Sequence, residues 1–222
     1  CNSGAEGFEA FGRGDGLDPH SEPIYIYDRL DEPTCGMLQD NLAAAECGEM
    51  AVCYASGMAA ISAAICALTR SGEHLVAHKV LYGCTYSLIE NWLPRYGIDA
   101  TLADLTQTGA RREAIRPQTR VIYFETPVNP DLAMIDIAAV RVVVDEVNAK
   151  RPPAERLWVV VDNTFATPFC QRPLTLGAHL VCQSLTKAIG GFGTDIGGAV
   201  IGPRELRRPL ILYRKDFGGS LS

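Results

Sequence analysis

The residues best equipped for chemistry are Ser184, Thr186 and Lys187 in Gln183-Ser184-Leu185-Thr186-Lys187, set directly behind an apolar run. A lysine where a buried strand ends sits in apolar surroundings that favour its neutral amine, the form that makes a Schiff base with an aldehyde. The hydroxyls of Ser184 and Thr186 straddle Leu185 and can converge on one phosphate. Asp162 closes a second apolar run, Val159-Val160-Val161-Asp162. A carboxylate fixed there can keep a pyridine nitrogen protonated and make the ring an electron sink. Amine, phosphate cup and carboxylate together describe a site for pyridoxal phosphate (PLP). The same residues also fit a strand-end lysine paired with some carboxylate, and spacing alone leaves both readings open.

A second wall for a phosphate is available in Ala55-Ser56-Gly57-Met58. Ser56 can cap the Ala/Ile-rich helix that follows, and Gly57 lets backbone come close to a ligand. Free amides at the positive end of a helix dipole make an anion site. Ser-Gly before a helix is also an ordinary cap, so this signal gains weight only beside the Ser-x-Thr-Lys segment. A dinucleotide site fails on spacing. Gly190-Gly191-Phe192-Gly193-Thr194-Asp195-Ile196-Gly197 lacks the Gly-x-Gly-x-x-Gly order and has no strand directly before it.

Short apolar runs at 75–77, 98–102, 121–124, 157–161, 180–182 and 199–201 have strand length, and most lack the alternation of a sheet with one wet face. Helical spacing covers 37–46, 58–68, 85–96 and 137–149. This alternation predicts an α/β fold, a mostly parallel sheet between helices. Ligands gather beyond the carboxyl ends of such strands. Asp162, Glu125 and the Lys187 segment all follow strands and therefore share one rim. Residues 1–35, rich in Gly, Asp and Pro, read as an arm that needs another surface to order it, and residues 36–222 as the ligand-binding domain.

With 222 residues, 47% hydrophobic and 21% charged, the chain can bury a sizeable core. A net charge of −6 without any Lys/Arg run argues against nucleic-acid or anionic-membrane surfaces. No apolar segment approaches the roughly 20 residues of a membrane span and no signal pattern opens the chain, so a soluble, cytoplasmic protein is expected. Eight cysteines without a Cys-x-x-Cys pair fit reduced core thiols. His74 and His78 lack the neighbouring glutamate of a zinc helix, and no metal site is expected. The start at Cys1 and the stop at Leu221-Ser222 in mid-pattern suggest a fragment.

Six segments in order carry a family resemblance: 25–29 (Tyr-Ile-Tyr-Asp-Arg), 56–60 (Ser-Gly-Met-Ala-Ala), 81–85 (Leu-Tyr-Gly-Cys-Thr), 125–130 (Glu-Thr-Pro-Val-Asn-Pro), 161–165 (Val-Asp-Asn-Thr-Phe) and 184–187 (Ser-Leu-Thr-Lys). From about residue 24 onward the chain resembles the Cys/Met-metabolism PLP-dependent enzymes, and Tyr-Gly-Cys-Thr at 82–85 is most similar to the methionine γ-lyase branch. The resemblance implies a fold-type I PLP-dependent transferase-like fold whose C-terminal small domain is missing from this chain. It implies that Lys187 is the Schiff-base lysine and proton carrier, that Asp162 pairs with the pyridine nitrogen, and that Asn129 lies by the ring's phenolic oxygen. Tyr82 would stack on the ring and protonate the departing sulfur. The phosphate would be held by the Gly57 and Met58 amides, the Ser184 and Thr186 hydroxyls, and Tyr27 and Arg29 reaching across from a partner subunit. That contact implies a homo-oligomer, a dimer of active-site-sharing subunits assembled into a tetramer.

The resemblance also puts Cys84 on the substrate side, where a small packing residue is the alternative, and makes Lys215 and Asp216 a pair that arranges the pocket, where solvated charges would look the same. The activity it implies is α,γ-elimination of L-methionine or a related sulfur amino acid to a thiol, ammonia and 2-oxobutyrate. Alternatives on the same scaffold are O-acetylhomoserine sulfhydrylase and cystathionine γ-synthase or lyase activity; a truncated, non-catalytic PLP-fold protein is a third. Three departures from the family pattern stand out. Asp28 stands inside the arm motif where the family usually has Ser and Glu32 stands before Pro33-Thr34 where it usually has Asn, the segment 188–195 lacks a histidine common there, and the arginine that grips the substrate carboxylate is absent from these residues.

Overall fold

The computed structural model describes residue 27 and residues 29–221. Most of the arm expected over 1–35, including Asp28, therefore lies outside the described residues. The first helix, α1 (Pro33–Glu46), begins four positions ahead of the periodic stretch at 37–46. Its start is set by capping. The Glu32 carboxylate accepts from the Thr34 and Cys35 amides, and Pro33 occupies the first turn, where no N–H is needed.

The sheet has seven strands: β1 (Met50–Tyr54), β2 (His74–His78), β3 (Asp99–Ala103), β4 (Thr119–Glu125), β5 (Trp158–Asp162), β6 (Leu180–Ser184) and β7 (Gly198–Gly202), in the order β1-β7-β6-β5-β4-β2-β3. β7 runs antiparallel to both of its neighbours and the remaining pairs are parallel. The six predicted runs each fall on a strand, while β1 is an addition. Met-Ala-Val-Cys-Tyr has little β-branched character, and its partner β7 lies far along the chain.

Helices cover both faces. α2 (Gly57–Leu68) and α7 (Arg207–Phe217) pack on the face formed by Val52, Tyr54, Tyr123, Val160, Cys182 and Val200. α1 and α5 (Ile137–Asn148) cover the other, against Ala51, Cys53, Val181, Ile122, Val159 and Val161. Shorter helices are α3 (Gly83–Ser87), α4 (Thr108–Ala114) and α6 (Thr167–Cys170). The helix expected over 85–96 is broken into α3, a π-helical turn over Leu88–Trp92 and a 3-10 turn over Leu93–Tyr96. Pro94 has no N–H to donate, and the ladder widens just before it so that the Leu93 amide reaches the Leu88 carbonyl.

Candidate active site

Side chains alternate along a strand, so Glu125, Asp162 and Ser184 share a face with Tyr123, Val160 and Cys182. All three close their strands at the carboxyl rim, with Glu125 opposite Asp162 in the β4–β5 register. The N-terminus of α2 meets this rim, and a cavity of about 400 Å³ opens there. Gly57, Met58, Ser184 and Thr186 line it on the side expected for the phosphate. Tyr82, Asn129, Asp162 and Lys187 line it as well.

Five contacts shape the side expected for the phosphate. Ser56 Oγ accepts the Ala59 amide at 3.1 Å, which leaves the Gly57 and Met58 amides, the first two of α2, without acceptors inside the helix. A Cβ on Gly57 would lie 2.8 Å from Ser184 Cβ, so only glycine lets this helix end approach the end of β6 so closely. A Cβ on Gly198 would lie 2.1 Å from the Ser56 carbonyl oxygen, giving β7 the same requirement. The Thr164 hydroxyl accepts the Ser184 amide at 2.9 Å, and the Thr186 hydroxyl accepts the Gly197 amide at 3.2 Å. The segment that carries Lys187 is thereby tied down on both sides.

Asp162 accepts the Thr164 amide at 2.9 Å through Oδ1 and, at 3.4 Å through Oδ2, the Tyr123 hydroxyl. Burial pushes its carboxyl up, and these donors oppose the shift. Glu125 is also pushed up, to about 7, by burial and by the charge of Asp162, against the amides it accepts. Tyr82 stands at the N-cap of α3 with its ring partly exposed and its hydroxyl accepting the Cys84 thiol at 3.5 Å. The neighbouring Cys84 sulfur, which favours the protonated phenol as a hydrogen-bond donor, is the first cause of an upward shift of Tyr82.

One expectation about Lys187 needs correction. Its side chain is exposed at the cavity instead of sitting in apolar surroundings, because the chain leaves the sheet after Ser184 and turns, with the Lys187 amide donating to the Ser184 carbonyl at 3.2 Å. Cys84 is exposed and reaches the site through Tyr82. Tyr27 and Arg29 are exposed, stack as a cation over a ring at 4.9 Å, and do not line their own chain's cavity. Lys215 and Asp216 pair at 3.4 Å on α7, and neither lines the cavity. Sequence reasoning gave no role to Tyr123 or Thr164, the two residues that fix Asp162. Asp-x-Thr after a strand is the signal of an Asx turn and could have pointed to Thr164.

The sequence as a whole matches a known group of enzymes. Residues 10–222 match the family described as Cys/Met metabolism PLP-dependent enzyme. The chain belongs to this family. It is 44% identical over 201 residues to an L-methionine gamma-lyase of Fusobacterium nucleatum subsp. polymorphum, covering 90% of this chain and 49% of that one. A probable cystathionine gamma-synthase of Herpetosiphon aurantiacus is 40% identical over 197 residues, 89% of this chain and 59% of the relative. The crystal structure of metB from Corynebacterium glutamicum superposes with a TM-score of 0.83 at 35% identity, covering 89% of this chain and 50% of that one.

The chain thus spans about half the length of the methionine γ-lyase that it matches. The fold is that of fold-type I PLP enzymes, and pyridoxal phosphate is the cofactor. The cavity could accept it, with a close-packed glycine and the free amides of a helix start on one side and a buried carboxyl on another. Among the described residues no helix is long and apolar enough to cross a membrane.

Proposed function

We infer that the protein belongs to an enzyme that carries out α,γ-elimination on L-methionine or a related sulfur amino acid, releasing a thiol, ammonia and 2-oxobutyrate. The observation that carries this reading is the convergence of Lys187, Asp162 and Tyr82 on one cavity, with Cys84 hydrogen-bonded to the Tyr82 hydroxyl. When bound, pyridoxal phosphate supplies an electron sink for the carbon joined to it.

The residues divide the remaining work. The Gly57 and Met58 amides and the Ser184 and Thr186 hydroxyls bind the phosphate, assisted by Tyr27 and Arg29 from a second copy of the chain in a homo-oligomer. Asp162 would hold a proton on the pyridine nitrogen, and Asn129 would lie by the phenolic oxygen. Lys187 would tether the cofactor and, once freed, would carry the α-proton; its exposed stem suits a group that must swing between atoms. Tyr82 gives a proton to the departing sulfur, and the Cys84 thiol orients that hydroxyl. Lys215 and Asp216, outside the cavity, would reach substrate only indirectly. The setting proposed is the cytoplasm.

The test is a product assay of the PLP-loaded protein with L-methionine alone, following 2-oxobutyrate and methanethiol. Both products without added thiol support elimination. Turnover of O-acetylhomoserine plus sulfide, without products from methionine, would replace this reading by γ-replacement, which the likeness to a probable cystathionine gamma-synthase favours as the second choice.

A further inference from the structure

Glu125 is a buried carboxylate at the centre of the site to which the reaction gives no task. It is 4% exposed, lines the cavity and closes β4 directly opposite Asp162. Each of its oxygens accepts a backbone amide from a different loop. Oε1 takes the Tyr82 N–H at 2.7 Å and Oε2 takes the Asn129 N–H at 3.2 Å. Tyr82 follows β2 and Asn129 follows β4, adjacent strands of the sheet. The carboxylate is therefore a brace between two loops whose side chains both line the cavity.

We propose that Glu125 is a positioning residue that sets the orientation of the bound PLP ring by locking the Tyr82 and Asn129 loops to each other through its two carboxylate oxygens. Two features favour this over a purely structural role. An ionisable group at a buried site is costly unless its lone pairs are used, and both loops it joins carry residues facing the cavity. A neutral glutamine of the same shape keeps only one oxygen and turns an N–H donor toward the other amide. The brace needs a charged double acceptor.

The charge of Asp162 reaches Glu125, the charge of Glu125 in turn reaches the Tyr82 and Tyr123 phenols, and Lys187 lines the same cavity. Burial and the Asp162 charge raise its carboxyl to about 7, so the brace weakens as pH falls through neutrality.

The inference rests on the cofactor placement described above and is independent of which sulfur amino acid is used. The test therefore needs no substrate. Wild type, Glu125→Gln and Glu125→Ala are loaded with PLP and titrated for cofactor Kd, then reduced with borohydride to fix the cofactor to Lys187. The induced circular dichroism of the reduced cofactor is followed from pH 8 to pH 6. Expected is a Kd raised about tenfold in Glu125→Gln, the loss of one charge-assisted hydrogen bond, and raised further in Glu125→Ala. The ellipticity of the fixed cofactor should be reduced in both variants and lose the step near pH 7 that wild type shows. Equal Kd and ellipticity in all three proteins would overturn the brace alone. Absence of the reduced adduct on wild-type Lys187 would overturn the cofactor placement and the brace together.

Discussion

Buried titratable groups are put to different uses beside the cavity and at the amino end of the sheet. At the carboxyl rim, Glu125 and Asp162 are carboxyls pushed up by burial, and both line an open cavity. At the amino end, His74 opens β2 and His179 immediately precedes β6, and burial pushes their imidazoles down, to about 4 and about 3, helped by the charges of Arg116 in one case and Arg141 and Arg156 in the other. His74 is closed in by protein, its two nitrogens bonded to Thr119 Oγ1 at 2.8 Å and Thr101 Oγ1 at 2.9 Å. His179 Nδ1 accepts the Val159 amide at 2.9 Å, which splices β5 to β6. Desolvation alone therefore does not mark a functional site. What separates the two ends is that one set of groups faces a hollow that converges on Lys187, while the other serves as internal ties between strands.

The largest test of that division is Lys187→Ala. Lys187 is exposed and makes no part of the core, so the variant should fold and melt near wild type while losing both the borohydride-reducible cofactor and all turnover. Reduction followed by peptide mass analysis reads the first effect directly. Retention of a reducible adduct in the variant would place the tether elsewhere. Asp162→Asn should follow, with the cofactor still attached and turnover lower by about 10²-fold, the worth of a hydrogen bond to a charged group placed on the rate. A drop of similar size from His74→Asn would erase the distinction between the ends.

The pH dependence of stability sharpens the same contrast, because the two ends pull in opposite directions. His74 has a folded value of about 4, below its unfolded 6.5, so the stability tied to its neutral form is complete above 6.5 and is lost as pH falls through about 4. The span corresponds to about 3 kcal/mol. Glu125 has a folded value of about 7, above its unfolded 4.5, so the net cost of burying its charge, which outweighs its two amide bonds, is absent below 4.5 and lowers stability as pH rises through about 7. Urea unfolding of the cofactor-free chain between pH 4 and pH 8 should show His74→Asn flattening the acid limb and Glu125→Gln flattening the neutral limb. Unchanged limbs in both variants would mean that neither group is desolvated in solution.

Much of this was legible in the residues because the carboxyl rim is built from strand ends, and strand ends follow apolar runs. Val159 to Asp162 and Leu180 to Lys187 announce their own elements, and the alternation of strand and helix gives the sheet. The cap at Ser56 was readable for the same local reason, since Ser-Gly before an Ala-rich helix admits few other conformations. The missing pieces depend on partners distant in sequence. β1 is a strand because β7 pairs with it, and Glu125 is a brace because a loop more than forty residues earlier brings Tyr82 to it. The exposure of Lys187 was misread because a strand's burial does not extend past the turn that ends it.

The smallest expected effects come from a matched pair of glycines, one at each end. A Cβ on Gly57 would lie 2.8 Å from Ser184 Cβ, and a Cβ on Gly48 would lie 2.5 Å from Ile201 Cγ2 near the opposite edge of the sheet. Both Gly57→Ala and Gly48→Ala force local overpacking, which costs about 1–3 kcal/mol, so similar losses of stability are expected. Only Gly57→Ala also pushes the first amides of α2 away from the Ser184 hydroxyl. It should raise the PLP Kd by about tenfold, equivalent to one hydrogen bond to a charged phosphate, while Gly48→Ala leaves it unchanged. Equal affinities in the two variants would move the phosphate away from the start of α2, and the carboxyl rim would lose the feature that sets it apart from the amino end.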